Sequence, residues 1–205
     1  MATARRGIPI DFRGIRGPKA IPVSTHGASK GLPMVHVGIE FRLSLTYGLD
    51  MTNVLGDRPM AKLRKEANKA VMGYWHREIR PKHFTQKGFS EYKYTRRSRA
   101  TVTIKKKKFG HNDPIVQQGD ARAMSSDIKS IRATQSRASL TVAGPWYMGH
   151  RAKRKDGQMS PDLKKELAAI SRQDALAMAR YGAEMIRKGI AAERKARRGA
   201  RKVKP

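Results

Sequence analysis

The chain has 205 residues, 39% of them apolar and 30% charged; 45 lysines and arginines stand against 16 acids, giving a net charge of +29, and there is no cysteine. That length suits one domain with appendages, and the missing thiols exclude disulfides and thiolate metal sites. So large a basic excess implies a polyanionic or strongly acidic partner, held by counterion release where that partner is nucleic acid.

Residues 1–34 read as an extended basic arm. Pro9, Pro18, Pro22 and Pro33, with five glycines and six bases against one acid in residues 1–33, leave too little apolar surface to fold alone. Within it Ile8, Ile10, Phe12 and Ile15 nearly alternate and could add a strand to a neighbour's sheet edge, simple disorder being the equal alternative. MATARRGIPIDFRG lacks the apolar core of a secretory signal, and Pro9, Asp11 and Gly14 break the helix of a transit peptide. No apolar run approaches the roughly 20 residues that span a bilayer.

VHVGIEFRLSLTY, residues 35–47, alternates apolar and polar side chains throughout, which predicts a strand with one buried face. Asp57 as N-cap and Pro59 in the first turn then start a helix of about 22 residues. Met60, Leu63, Ala67, Val71, Tyr74 and Ile79 form its core face, Trp75 packs, and Pro81 ends it. After Glu91, eight lysines and arginines precede the next carboxylate, Asp113, yet Tyr92, Tyr94, Val102 and Ile104 lie among them. This predicts one or two basic strands, with Lys105 to Lys108 at an edge, a hairpin tip or a protruding loop. The tyrosines are expected to be half-buried strand residues rather than base-stacking platforms. Gly110 to Pro114 turns the chain so that Ile115 and Val116 re-enter the core.

Residues 127–145 predict a hairpin, with Ile131 and Ala133 on one side of a polar turn and Leu140 and Val142 on the other. Trp146, Tyr147 and Met148 follow as a packing cluster, and residues 149–160 as a basic loop. Leu163, Leu167 and Ile170 fit either a helix or a short strand. Ser171 with Asp174 is an acidic capping box, opening a helix whose inner face is Leu176, Ala179, Ala183, Ile186 and Ile190. Residues 191–205 hold seven bases, one acid and no apolar stripe, and read as a solvated tail.

No phosphate loop, nucleophile elbow or metalloprotease helix is present. His76 and His83, seven apart, could share a helix face, but Pro81 intervenes and no third ligand is evident; these and His111 read as satisfied surface or interface residues. Glu66, Glu78 and Glu91 are expected to pair with neighbouring bases. The chemistry therefore reduces to cations, in three groups: the arm, the tail, and the stretch from Lys93 to Lys108. Candidate contacts with nucleic acid or an acidic partner are Arg96, Arg97, Arg99, Lys105, Lys106, Lys107, Lys108, Arg194, Lys195, Arg197, Arg198, Arg201 and Lys202. No catalytic residue, metal or cofactor is predicted.

One ordered set of residues resembles a known group. A helix ends in Tyr74-Trp75-His76 and Pro81-Lys82-His83-Phe84. Tyr92, Tyr94 and Arg97-Ser98 follow, then a lysine run into Gly110-His111, and Asp113-Pro114-Ile115-Val116 two residues before Gly119. Over residues 60–190 this resembles the tail-completion or neck proteins of tailed bacteriophages, virion morphogenesis proteins of the head–tail junction. Gln118 stands where that group has threonine, and Asp120-Ala121-Arg122 replaces its Arg-Leu-Arg.

The resemblance implies a strand at 163–170 and a non-enzymatic ring on the portal axis. The implied protein is a homo-oligomer in the virion, assembled in the host cytoplasm, that contacts portal or adaptor and tail proteins and, as a further candidate, packaged DNA. It implies neither membrane nor small-molecule substrate. The expected architecture is α+β: an antiparallel sheet packed by two amphipathic helices in a single domain, 35–190, with extended basic arms at 1–34 and 191–205. A ribosomal protein that binds rRNA through basic extensions is the alternative reading.

Overall fold

The computed structural model describes residues 34–42, 55–115, 120–149, 157 and 159–202. The expectations for the N-terminal arm at 1–33, for Leu43 and Leu45, for Val116 and for most of the 149–160 loop lie outside those residues.

The fold is α+β. Strand β1 (Met34–Arg42) pairs antiparallel with β3 (Arg137–Pro145), which pairs antiparallel with β2 (Ile128–Ala133) in the order β1-β3-β2. Alternation fixes the register. Val37 faces Val142, Ile39 faces Leu140 and Phe41 faces Ala138, while Ile131 and Ala133 of β2 oppose Leu140 and Ala138. A bulge between Ile128 and Ser130 shifts the far end of β2.

Helix α1 (Asp57–Tyr74) lies across this face. Met60, Leu63, Ala67 and Val71 are buried as the spacing predicts, and Tyr74 is half-buried. Gly56, not Asp57, is its N-cap; Asp57 sits in the first turn, where its charge favours the helix dipole. The chain then widens into a π turn (Trp75–Ile79) and tightens into a 3₁₀ turn (Arg80–Phe84). These bury Trp75, Ile79, His83 and Phe84 in succession, and Trp75 meets Phe41 with ring centroids 5.9 Å apart. Buried Asn68 donates to the carbonyls of Thr134 and Gln135 at 2.8 and 3.0 Å, fixing the hairpin turn against α1.

Short helices α2 (Gln86–Glu91), α3 (Arg99–Phe109), α4 (Asp120–Met124) and α5 (Leu163–Leu167) precede the long helix α6 (Arg172–Lys202). Leu163–Leu167 is thus a helix and 168–170 a turn followed by irregular backbone, so the implied strand at 163–170 does not form. Asp162 caps the helix by accepting from the Lys165 N–H at 3.2 Å, and Leu163 and Leu167 share its inner side.

The capping box of α6 forms: Ser171 Oγ accepts from the Asp174 N–H at 3.1 Å and donates to the Asp174 carboxylate at 2.8 Å. The buried ladder runs Asp174, Met178, Gly182, Ile186, Ile190 at every fourth residue; Leu176, Ala179 and Ala183 are only half-buried. Ile186 and Ile190 pack on Leu55, Met60, Leu63 and Ala67 of the α1 end, a second small core beside the sheet. The expected solvated tail continues as helix to Lys202, with no extended arm before that point. Residues 191, 192 and 194–199 are exposed as expected, but alanine, lysine and arginine are strong helix formers and extend the preceding turns. None of the described helices is long and apolar enough to cross a membrane.

Candidate functional site

The basic segment between Glu91 and Asp113 divides into an inward half and an outward half. Tyr92 and Tyr94 are both buried, as expected, but in irregular backbone rather than a strand, with Lys93 between them at φ 51°. Their rings stack on His83: His83 and Tyr92 lie 4.1 Å apart at 9°, and Tyr92 and Tyr94 lie 5.7 Å apart at 25°. The Tyr92 hydroxyl donates to Asp174 Oδ2 at 2.8 Å, and the Tyr94 hydroxyl meets His83 Nδ1. Burial and the carboxylates around them raise both phenol pKa values. Neither ring is open to a base.

His83 is fully buried, contrary to the surface role expected of it. Burial pulls its pKa from 6.5 down to about 4, against Asp174 and the Glu166 carbonyl, which raise it. The ring is therefore neutral. His83 Nδ1 and the Tyr94 hydroxyl share one hydrogen bond, whose direction follows the ring tautomer.

Two acids anchor this half; the capping box marks Asp174 as a helix start, but no motif joins either acid to its distant partners. Asp174 is 1% exposed; burial would raise its pKa, but hydrogen bonds from Lys82, at 2.7 Å, from Tyr92 and from Ser171 bring it below the ordinary value. Glu166 accepts from both terminal nitrogens of Arg97, one of them at 2.8 Å. Both side chains of that pair are nearly closed to solvent. Arg97, predicted as a partner contact, is thus an internal ion-pair residue. Glu66 and Glu78 make no ion pair among the described residues, and Glu91 accepts from Ser171 Oγ at 3.0 Å instead. Arg80 is also turned inward, donating to the Arg122 carbonyl and Ser125 Oγ, each at 2.9 Å.

The outward half is α3, a helix where strands were expected. Ser98 caps it by accepting from the Thr101 N–H at 3.2 Å, and Gly110 at φ 72° closes it, its N–H donating to the Lys106 carbonyl at 2.9 Å. Val102, Lys105 and Phe109 form the half-buried side, and no residue of α3 is fully buried. The apparent alternation of Val102 and Ile104 misled, because helical geometry leaves Ile104 60% exposed. Lys105 and Lys108, three residues apart, repel by a few tenths of a kcal/mol. The place of Lys106 to Lys108 in the last turn offsets this through the helix dipole.

Arg99, Lys106, Lys107 and Lys108 are exposed with no carboxylate partner among the described residues, and Arg96 is exposed beside them. Lys105 turns inward and donates to the Asp113 carbonyl at 2.6 Å. At the chain's other end, Arg194, Lys195, Arg197 and Arg198 are exposed on α6; Arg197 also donates to the Leu55 carbonyl at 2.8 Å. The side chains of Arg201 and Lys202 lie outside the described residues.

No family model, curated protein or solved structure matches the chain. The site therefore rests on its own geometry. Acids near the core hold the fold together, and Arg99, Lys106 to Lys108 and the exposed cations of late α6 face solvent with no carboxylate partner among the described residues. Among the described residues no three His, Asp or Glu side chains converge as a metal site would require.

Proposed function

We propose that this chain is a structural virion protein of a tailed phage, a ring-forming subunit of the head–tail connector that joins portal and capsid to tail. It resembles neck and tail-completion proteins in the residues between 60 and 190, and it performs no chemistry in this reading. One observation carries the proposal: exposed Arg99 and Lys106 to Lys108 on α3, and Arg194, Lys195, Arg197 and Arg198 on α6, stand on helices and have no carboxylate partner among the described residues.

An 11-residue helix with no buried residue is marginal on its own. A negatively charged neighbour would stabilise it, and in this reading an acidic surface of the portal or the tail is that neighbour. Packaged DNA is a further contact for the same ridge. Such attraction is long-ranged, weakens with salt and favours assembly more than catalysis.

Negative-stain electron microscopy of the purified full chain, with and without structured RNA, tests the proposal. Closed annular particles formed without nucleic acid are expected. A protein that stays monomeric and binds structured RNA tightly would overturn it in favour of the ribosomal reading.

A further inference from the structure

Between α2, the 92–98 segment and the inner side of α3 lies a pocket of about 190 Å³. A water molecule's share of liquid volume is about 30 Å³, so the space holds a side-chain head with a short stem. Phe89, Val102 and Pro114 supply apolar walls, while Arg96, Lys105 and Asn112 bring hydrogen-bond donors to it.

The charges around this recess do not balance. Arg97, at its wall, is engaged by Glu166. Asp113 brings one negative charge to the wall, its carboxylate accepting from the neutral Gln86 Nε2 at 3.2 Å and its carbonyl from Lys105, so it offsets only one of the two cations Lys105 and Arg96. A neutral carbonyl satisfies one of three ammonium donors and none of the charge. Burial and then the nearby Arg97 lower the Lys105 pKa, with Asp113 and Glu166 opposing, so the cation sits where a further anion would relieve it. Arg96 stands exposed at the rim without an ion-pair partner among the described residues.

We propose that this recess is a carboxylate clasp, taking one glutamate or aspartate side chain from an acidic segment of a partner polypeptide. Lys105 and Arg96 hold the carboxylate, Asn112 donates beside them, and the apolar walls cover the stem. A recessed ammonium is poorly placed for nucleic acid, whose phosphates lie on a convex backbone and meet protruding cations such as Lys106 to Lys108. A carboxylate on a methylene stem reaches inward. The inference rests on the reading of α3 as a docking surface and names the chemistry of one contact there.

The test is a titration of the ¹⁵N-labelled full chain, following the amide resonances of Val102, Lys105 and Asn112. The probes are the capped peptide Ala-Leu-Glu-Leu-Ala, its glutamine counterpart and inorganic phosphate. The glutamate peptide should shift these resonances saturably and bind about tenfold more tightly than the glutamine peptide, as charge-assisted bonds require. Lys105→Met and the surface variant Arg96→Gln should each weaken it by about tenfold, and a Lys106→Ser, Lys107→Ser, Lys108→Ser triple variant by less than about twofold.

Equal binding of the two peptides, unchanged binding by Lys105→Met and Arg96→Gln, or phosphate producing the same shifts at lower concentration would each overturn the clasp. Peptide binding by a chain that forms no ring would sink the ring reading alone. Rings that ignore the peptide would sink the clasp alone.

Discussion

Arg97 and Glu166, 69 positions apart, meet as a two-pronged ion pair with side chains 12% and 8% exposed. The pair ties the approach to α3 to α5. Removing one partner leaves a nearly buried charge uncompensated, at a cost of about 3–5 kcal/mol, whereas replacing both with apolar groups is close to neutral. Glu166→Leu should therefore lower the denaturation midpoint sharply, and the Arg97→Met, Glu166→Leu double variant should recover most of the stability. Additive effects in a urea-melt double-mutant cycle would contradict the coupling.

His83 makes stability depend on pH in a defined window. The unfolded chain takes up a proton below about 6.5, while the folded ring resists protonation down to about 4. The unfolded state thus binds more protons between those values, and stability falls as pH falls, by roughly 3 kcal/mol across the window. The neighbouring Asp174, whose pKa is lowered, adds stability that is lost only further down, as pH drops through its folded value. His83→Gln should flatten the profile between pH 6.5 and 4 when unfolding is followed by urea titration. A retained slope would place the titrating group elsewhere.

Gly88 occupies a position where a side chain has no room. A Cβ there would collide with the Lys82 carbonyl, a backbone atom that cannot swing aside. Gly88→Ala should cost about 1–3 kcal/mol, typical of a forced backbone shift, even though alanine is the better helix former. Thermal unfolding checks this, and an unchanged midpoint would mean that the Pro81–Gly88 turn yields easily.

The ridge of α3 should act through charge alone. Replacing Lys106, Lys107 and Lys108 with serine should leave folding within about 0.5 kcal/mol, because all three are exposed. On duplex DNA it should reduce the salt-dependence slope by up to about 0.9 for each phosphate no longer neutralised. Fluorescence anisotropy across a salt series measures that slope. Assembly should weaken in the same salt-dependent manner, and an unchanged assembly yield would count against the ridge.

Strict periodicity was the most legible part of the chain. Val37, Ile39 and Phe41 face inward as alternation dictates, the 127–145 hairpin pairs through Ile131 and Leu140, and α1 buries the residues its spacing selects. The basic segment misled because valine and isoleucine two apart imitate a strand over a short span. The better signal was local: Ser98 before the run and Gly110 after it are a cap at each end of a helix.

The distant partners of the buried acids were invisible for a different reason. Asp174 lies 82 positions from Tyr92 and Glu166 lies 69 from Arg97, so no local pattern joins them. In the sequence the cations form one undivided class. The fold separates Arg97, Arg80 and Lys82, which have internal partners, from Arg99 and Lys106 to Lys108, which have no carboxylate partner among the described residues.

Sedimentation velocity of the purified full chain, run from low to physiological ionic strength, is the most direct test of a cationic subunit that assembles with itself and with acidic partners. A closed oligomer is predicted at physiological salt, binding acidic protein or polyanion more weakly as salt rises. A particle that remains a monomer throughout and ignores both would contradict that prediction.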